Sequence, residues 1–202
     1  MRVLICPDSF KECMPAMQVA EHLAKGVIRA VPEAEIKILP LADGGEGTVN
    51  ALVDATGGHL EKVKVLDPLL RIIDSYYGIL GDGRTAVIEM AAASGLELLD
   101  PCERNPMKTS TYGTGELIKH ALDKGCRKII IGLGGSATND GGMGAAMALG
   151  VKFYDESGNE LEQGGGFLHN LKKIDVSGID KRLNECKILL ACDVTSTLTG
   201  PE

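Results

Sequence analysis

The segment Gly132-Leu133-Gly134-Gly135-Ser136-Ala137-Thr138-Asn139-Asp140-Gly141-Gly142 gathers glycines with hydroxyl, amide and carboxylate side chains in one turn. It follows the apolar run Lys128-Ile129-Ile130-Ile131, which reads as a buried strand, and leads into a small-residue helix at 143–149. Glycines at the carboxyl end of a strand let backbone N–H groups approach an anion without interference from Cβ. The helix start behind them adds a positive dipole end. The chemistry expected is phosphate binding, with polar side chains supplied by the same turn.

Four other polar groups each follow a strand-like run, where ligands bind in doubly wound sheets. Pro7-Asp8-Ser9-Phe10-Lys11 offers a lysine that could act as a mobile charge near a phosphate. Its bland alternative is a solvated lysine at a helix start. Asp43-Gly44-Gly45-Glu46-Gly47-Thr48 suits a hydroxyl-bearing substrate or Mg²⁺. An Asp cap on a glycine turn would explain only one of its carboxylates. In Asn105-Pro106-Met107-Lys108-Thr109-Ser110-Thr111-Tyr112-Gly113-Thr114-Gly115-Glu116, Thr114 is expected to cap the next helix, and the hydroxyls ahead of it suit a ligand-facing loop. Asp193, after Leu189-Leu190-Ala191-Cys192, is a candidate general base or metal ligand, with a turn-forming Asp as the alternative.

The elements that must position these groups alternate from the first residue. Val3-Leu4-Ile5-Cys6 reads as a strand, and 17–28 as a helix with Met17, Ala20, Leu23, Ala24, Val27 and Ile28 on one face. Ile36, Ile38 and Leu39 form a second strand, and 48–55 a second helix closed by Thr56-Gly57-Gly58. This β-α-β-α order implies a parallel sheet covered by helices. The character then changes. Segments 60–66 and 73–80 alternate, and Gly81-Asp82-Gly83-Arg84 reads as a hairpin turn into 85–90. A helix at 114–123, strands at 151–154 and 187–192, and a flexible loop at Gln163-Gly164-Gly165-Gly166 complete the reading. The division expected is 1–58 and 59–202. Asp193 to Glu202 reads as an active loop followed by the start of something further, so a fragment or truncated gene is expected.

Composition narrows the partners. The 202 residues are 44% hydrophobic and 24% charged, enough for one large or two small globular domains. A net charge of −7 with no Lys/Arg block argues against nucleic acid or an anionic membrane. No apolar stretch reaches membrane-spanning length, and no signal peptide precedes the first strand. The six cysteines show no metal spacing, and several lie in apolar runs, so buried reduced thiols and a cytoplasmic setting are expected. A homo-oligomer stays open.

The glycine turn has a rival reading. Gly132-x-Gly134-x-x-Ala137 fits a dinucleotide fingerprint, and Asp155 lies roughly 20 residues on, where a ribose-binding acid is found. That would make the chain an NAD-dependent oxidoreductase. Against it, Asn139-Asp140-Gly141-Gly142 interrupts the helix that the fingerprint needs. No Walker A sequence is present.

Taken in order, Pro7–Lys11, Ala42–Thr48, Ala93-Ser94-Gly95-Leu96, Thr111-Tyr112-Gly113-Thr114-Gly115 and Gly134–Gly142 closely resemble bacterial-type glycerate kinase along the whole chain. The resemblance implies phosphorylation of D-glycerate from ATP with Mg²⁺. It also implies two α/β domains, a Rossmann-like first domain with the second inserted into it, and an active site between them. Here 1–58 would begin the first domain and 59 onward form the inserted one. Family members continue well past this point, and the loop after the last strand usually reads Asn-Pro where this chain has Ser196-Thr197.

On this resemblance the motifs take roles. Gly134, Gly135, Ser136, Thr138 and Asn139 would cradle ATP phosphates, and Asp140 would help to hold Mg²⁺. Ser9, Asp43, Gly44, Gly45, Glu46 and Thr48 would bind glycerate. The catalytic candidates are Lys11, which would neutralise charge on the transferring group, Asp43, which with Glu46 would engage the glycerate hydroxyls, and Asp193, which would accept the proton. A non-catalytic fragment is the remaining alternative.

Overall fold

Strands of period two and helices of period 3.6 fall largely where the apolar spacing puts them. The computed structural model describes residues 1–8, 10, 13–41, 44–45 and 47–192. Ser9, Lys11, Ala42, Asp43, Glu46, Asp193, Ser196 and Thr197 lie outside the described residues. The elements, in order, are β1 (Arg2–Ile5), α1 (Ala16–Ala30), β2 (Glu35–Ile38), α2 (Thr48–Thr56), β3 (His59–Leu66), β4 (Ile72–Ile79) and β5 (Thr85–Glu89). They continue with α3 (Ala91–Ser94), α4 (Tyr112–Asp123), β6 (Lys128–Gly132), α5 (Met143–Ala148), β7 (Lys152–Tyr154), β8 (Lys173–Asp175) and β9 (Lys187–Ala191).

The protein is an α/β fold. β1 and β2 pair in parallel, as the opening β-α-β order requires. A five-stranded sheet has the order β3-β4-β5-β6-β9. β3, β4 and β5 run antiparallel, and β5, β6 and β9 run parallel. The hairpin expected at 81–84 joins β4 to β5. α4 starts at Tyr112, so the expected cap at Thr114 is corrected: Thr114 lies inside the first turn, and Thr111 takes the position before the helix.

Alternation distributes the core over both faces of this sheet. Tyr77, Ile79, Ala86, Ile88, Ile129 and Ile131 point one way, into a cluster with Leu117, Ile118, Ala121 and Leu122 of α4. Val87 and Ile130 point the other way, against Val49 and Val53 of α2. α2 therefore packs on the five-stranded sheet, and the change of sheet falls between β2 and α2, ahead of the 58/59 boundary.

Tyr77 is 1% exposed, and its hydroxyl has no hydrogen-bond partner among the described residues. Burial pushes its pKa up. A lone buried hydroxyl carries a desolvation cost with no return. Tyr77→Phe is expected to leave the thermal midpoint unchanged or raise stability by up to about 1 kcal/mol in urea unfolding. A loss would reveal a partner for that hydroxyl.

A smaller antiparallel sheet, β7 with β8, packs beside α5. β8 escapes a reading by periodicity because it has only three residues, and Ile174 at its centre is exposed. The loop expected to be flexible at 163–166 is also corrected. The Gln163 side chain accepts from Ser110, the Gly166 N–H donates to the Met107 carbonyl, and Phe167 and Leu168 join the β7 cluster. Only Cys126 is buried, while Cys13, Cys102 and Cys192 are exposed, so most of the thiols are not interior. Cys192 follows β9, which among the described residues is at the edge of the five-stranded sheet.

Arg182 bridges Asp180 and Asp123, tying the turn before β9 to the end of α4. This guanidinium holds the Asp180 carboxyl at about 2, below its ordinary 3.8. A depressed folded value gives stability that is complete above the unfolded pKa and is lost as pH falls through the folded one. Asp180→Asn should therefore lower the urea midpoint at pH 7, with the difference nearly gone by about pH 2. A difference that persists at low pH would assign the effect to hydrogen bonding alone.

Candidate active site

Register brings three strand ends together. Glu89 of β5 lies beside Gly132 of β6, and Gly132 beside Ala191 of β9. The glycine turn leaves the sheet here, held by Met90 N–H donating to the Gly132 carbonyl at 2.9 Å and Leu133 N–H donating to the Ala191 carbonyl at 3.3 Å. The Gly44-Gly45 segment lies directly over it, and Gly134 N–H donates to the Gly44 carbonyl at 3.3 Å.

The glycines are what allow this approach. A Cβ on Gly132 would collide with the Gly44 carbonyl oxygen, and one on Gly134 would lie 2.7 Å from Gly45 Cα. Gly44 has φ +92° and would place a Cβ 2.8 Å from the Ala191 carbonyl oxygen. Two motifs far apart in sequence, expected to bind two different substrates, are thus in backbone contact. A cleft of about 1040 Å³ opens beside them, lined in part by Leu39, Gly44, Gly47, Thr48, Ala191 and Cys192. The Gly134–Thr138 stretch is not part of its lining.

Beyond Gly134 the turn presents an accessible polar surface. Gly135 and Asn139 are exposed, and Ser136 and Thr138 in the same turn are half-buried. The Ser136 and Thr138 hydroxyls lie 2.9 Å apart, and Thr138 N–H donates to Ser136 Oγ at 3.1 Å. The far side of the turn is pinned to the α3 segment, with Leu96 N–H donating to Gly135 and Ala137 N–H to Ser94. No described residue accepts the N–H of Gly135 or Ser136. Adjacent amides at a residue with φ +75° form the kind of concavity that holds an anion.

Three expected ligand groups turn inward. Asp140 is 1% exposed. Its Oδ1 accepts from Gly142 N–H at 3.0 Å, and its Oδ2 from Thr111 N–H at 2.9 Å and Gly144 N–H at 3.1 Å. The Thr111 hydroxyl reaches both oxygens and in turn accepts from Ala145 N–H at 2.9 Å. A carboxylate so engaged anchors the starts of α4 and α5 to each other and has little lone-pair capacity left for a cation. The hydroxyls of Thr109, Ser110 and Thr114 face inward too. Thr109 donates to the Ala137 carbonyl, Ser110 to Gln163, and Ser94 pairs with Thr114. They form a scaffold behind the glycine turn. Thr48 is 5% exposed, with its hydroxyl donating to the Gly45 carbonyl at 2.7 Å, so it shapes the loop from within.

Sequence reasoning missed Glu89. This carboxylate is 4% exposed, and its Oε1 accepts from Val49 N–H at 2.8 Å. The available signal was an acidic residue closing a strand that is buried along its whole length.

The dinucleotide reading loses both of its supports. α5 begins only at Met143, so no helix starts within the fingerprint. Asp155 accepts from the backbone N–H and side-chain amide of Asn159 in the turn after β7, and these bonds lower its pKa. Among the described residues no cluster of His, Cys, Asp or Glu could hold a metal ion, and no helix is long and apolar enough to cross a membrane.

Comparison with known proteins agrees with this geometry. The family model described as the glycerate kinase family matches residues 3–202. A glycerate kinase of Bacillus subtilis (strain 168) is 54% identical over 100% of this chain and 53% of its own length. A glycerate 2-kinase of Escherichia coli (strain K12) is 52% identical over 99% of this chain and 52% of its own length. A crystal structure from Salmonella typhimurium LT2, of a protein provisionally named glycerate kinase 2, matches with a TM-score of 0.86 and 54% identity, covering 99% of this chain and 54% of that one. The chain spans about half the length of the curated relatives it matches. Matched along nearly all of its own length by the model and by relatives sharing half its residues, it belongs to the glycerate kinase family.

Proposed function

We propose that this chain carries the phosphoryl-transfer site of a glycerate kinase, moving the γ-phosphoryl group of ATP to a hydroxyl of D-glycerate. The observation that carries this reading is the backbone contact of Gly44-Gly45 with Gly132–Gly134 at the ends of β5, β6 and β9. Phosphoryl transfer asks mainly for positioning and charge neutralisation, and two loops locked together at a sheet's end supply the first.

The residues present suit a polyphosphate. The amides of Gly135 and Ser136, with the hydroxyls of Ser136 and Thr138, offer donors on an accessible surface, and Asn139 stands beside them. ATP supplies the transferable group, and Mg²⁺ offsets its charge. Mg²⁺ keeps several waters and leans on phosphate oxygens, so it needs no dedicated protein cage. Asp140 acts behind the site by fixing the turn. Gly44 and Gly45, with Ser9, Asp43 and Glu46, bind glycerate; Lys11 neutralises charge and Asp193 accepts the proton. The roles of Ser9, Lys11, Asp43, Glu46 and Asp193 rest on motif order alone.

β1-α1-β2 then belongs to a Rossmann-like domain and the five-stranded sheet to the one inserted into it. The name of the Escherichia coli relative favours the 2-hydroxyl as the acceptor. A cytoplasmic setting goes with these substrates.

The test is coupled ADP release with D-glycerate, ATP and Mg²⁺. It is run on this chain and on a chimera extended with the part of the Bacillus subtilis relative that this chain does not match; that relative itself serves as the positive control. Glycerate-dependent ADP release from either form supports the reading. Silence from both beside an active control overturns it.

A further inference from the structure

Glu89 has a role that the apolar packing around it does not fill. α2 is already attached to the sheet by Val49 and Val53 against Val87, with Tyr76, Leu80 and Ile130 beside them. Such packing is non-directional and resists sliding along the helix axis only weakly. Attachment alone gives no reason to bury a carboxylate, which is costly unless it meets specific donors. Glu89 meets one in the first turn of α2, through Val49 N–H at 2.8 Å. Its carboxyl group also sits at the positive end of that helix.

The position of this contact is what matters. Val49 lies just past the Gly44–Thr48 loop, and Glu89 lies beside Gly132 in the β5–β6 register. Met90 N–H, the next along from Glu89, donates to Gly132 itself. The loop is thus held at two points to one strand end: at Gly44 by Gly134 N–H and at Val49 by Glu89. A single clamp leaves the loop free to pivot, whereas two fix its height above the glycine turn.

We infer that Glu89 is a positioning residue for glycerate: its buried carboxylate sets the first turn of α2 against the sheet and so fixes the substrate-facing loop over the Gly132–Gly134 turn. This role rests on the phosphoryl-transfer reading above. In this role its effect passes through the loop.

The experiment measures KM for each substrate, and kcat, in the coupled assay for E89A, E89Q and E89D. E89A is expected to raise KM for D-glycerate by about tenfold or more while KM for ATP stays within about twofold. E89Q keeps an oxygen that can accept from Val49 N–H and should recover most of that loss. E89D keeps the charge but draws the acceptor back by one methylene, and should resemble E89A. It also serves as the informative variant if E89A does not fold. A merely structural residue would lower the active fraction, reducing apparent kcat with both KM values unchanged. That pattern in E89D or E89A overturns the inference and leaves the kinase reading intact. Failure of the unsubstituted protein to release ADP with glycerate, in either form tested above, removes both.

Discussion

Replacing Asp140 with alanine is expected to destabilise the fold by about 3–5 kcal/mol, because it leaves several backbone and hydroxyl donors without their acceptor. The substitution strands the N–H groups of Thr111, Gly142 and Gly144 and the Thr111 hydroxyl, all of which converge on that carboxylate. Each buried donor left without an acceptor costs about 1–3 kcal/mol, and partial relaxation keeps the sum below the simple total. At roughly 2–4 °C per kcal/mol for a chain of this size, the thermal midpoint should fall by about 6–20 °C. Asp140→Asn should recover only part of the loss, because the amide group points a donor at donors. Calorimetry with and without EDTA separates the two roles this residue could hold. An anchor gives the same loss in both conditions. A metal ligand would show its loss only when Mg²⁺ and nucleotide are present, and that result would restore the metal assignment.

Gly132→Ala is expected to lower kcat/KM for glycerate phosphorylation by about 100-fold, the scale associated with a misplacement of about 1 Å near reacting groups. The backbone of Gly132 is not left-handed, so alanine is conformationally permitted there and the penalty is steric. The new methyl group would press on the Gly44 carbonyl, whose carbon would lie 2.9 Å away. Gly132 cannot retreat, because it is paired with Glu89 on one side and Ala191 on the other. The Gly44-Gly45 loop must therefore lift, parting the two proposed substrate sites. Overpacking of this kind also costs about 1–3 kcal/mol of stability. Gly26→Ala is the matched control. It lies within α1 with nothing within 4 Å of its added Cβ, and should gain about 0.5–1 kcal/mol with unchanged kinetics. Steady-state kinetics on both variants decide the matter: near-normal turnover in Gly132→Ala would mean that the loop contact is not needed for transfer.

Much of the fold is legible in the residues themselves. The strands at β3 to β5, the hairpin between β4 and β5, and helices α1 and α2 follow from period, turn residues and caps, which act within a few residues of one another. The failures share a cause. Thr114 reads as a cap because it precedes an apolar stretch, but the true helix start is set by Asp140, which lies in another loop and holds Thr111. The hydroxyls of Thr109 and Ser110 read as ligand-facing because polar residues in a loop usually meet water. Here Ala137 and Gln163 arrive from later in the chain to satisfy them.

By itself, the sequence determined the order of the longer strands and helices, the glycine turns at their ends and the family motifs, since each depends on local periodicity or on residue type at short spacing. Only the tertiary structure decided that Gly44-Gly45 lies against Gly132–Gly134, that Asp140 faces inward and that Glu89 holds α2. Those outcomes depend on which strand ends become neighbours, and pairing between distant segments is selected by burial and register over the whole sheet.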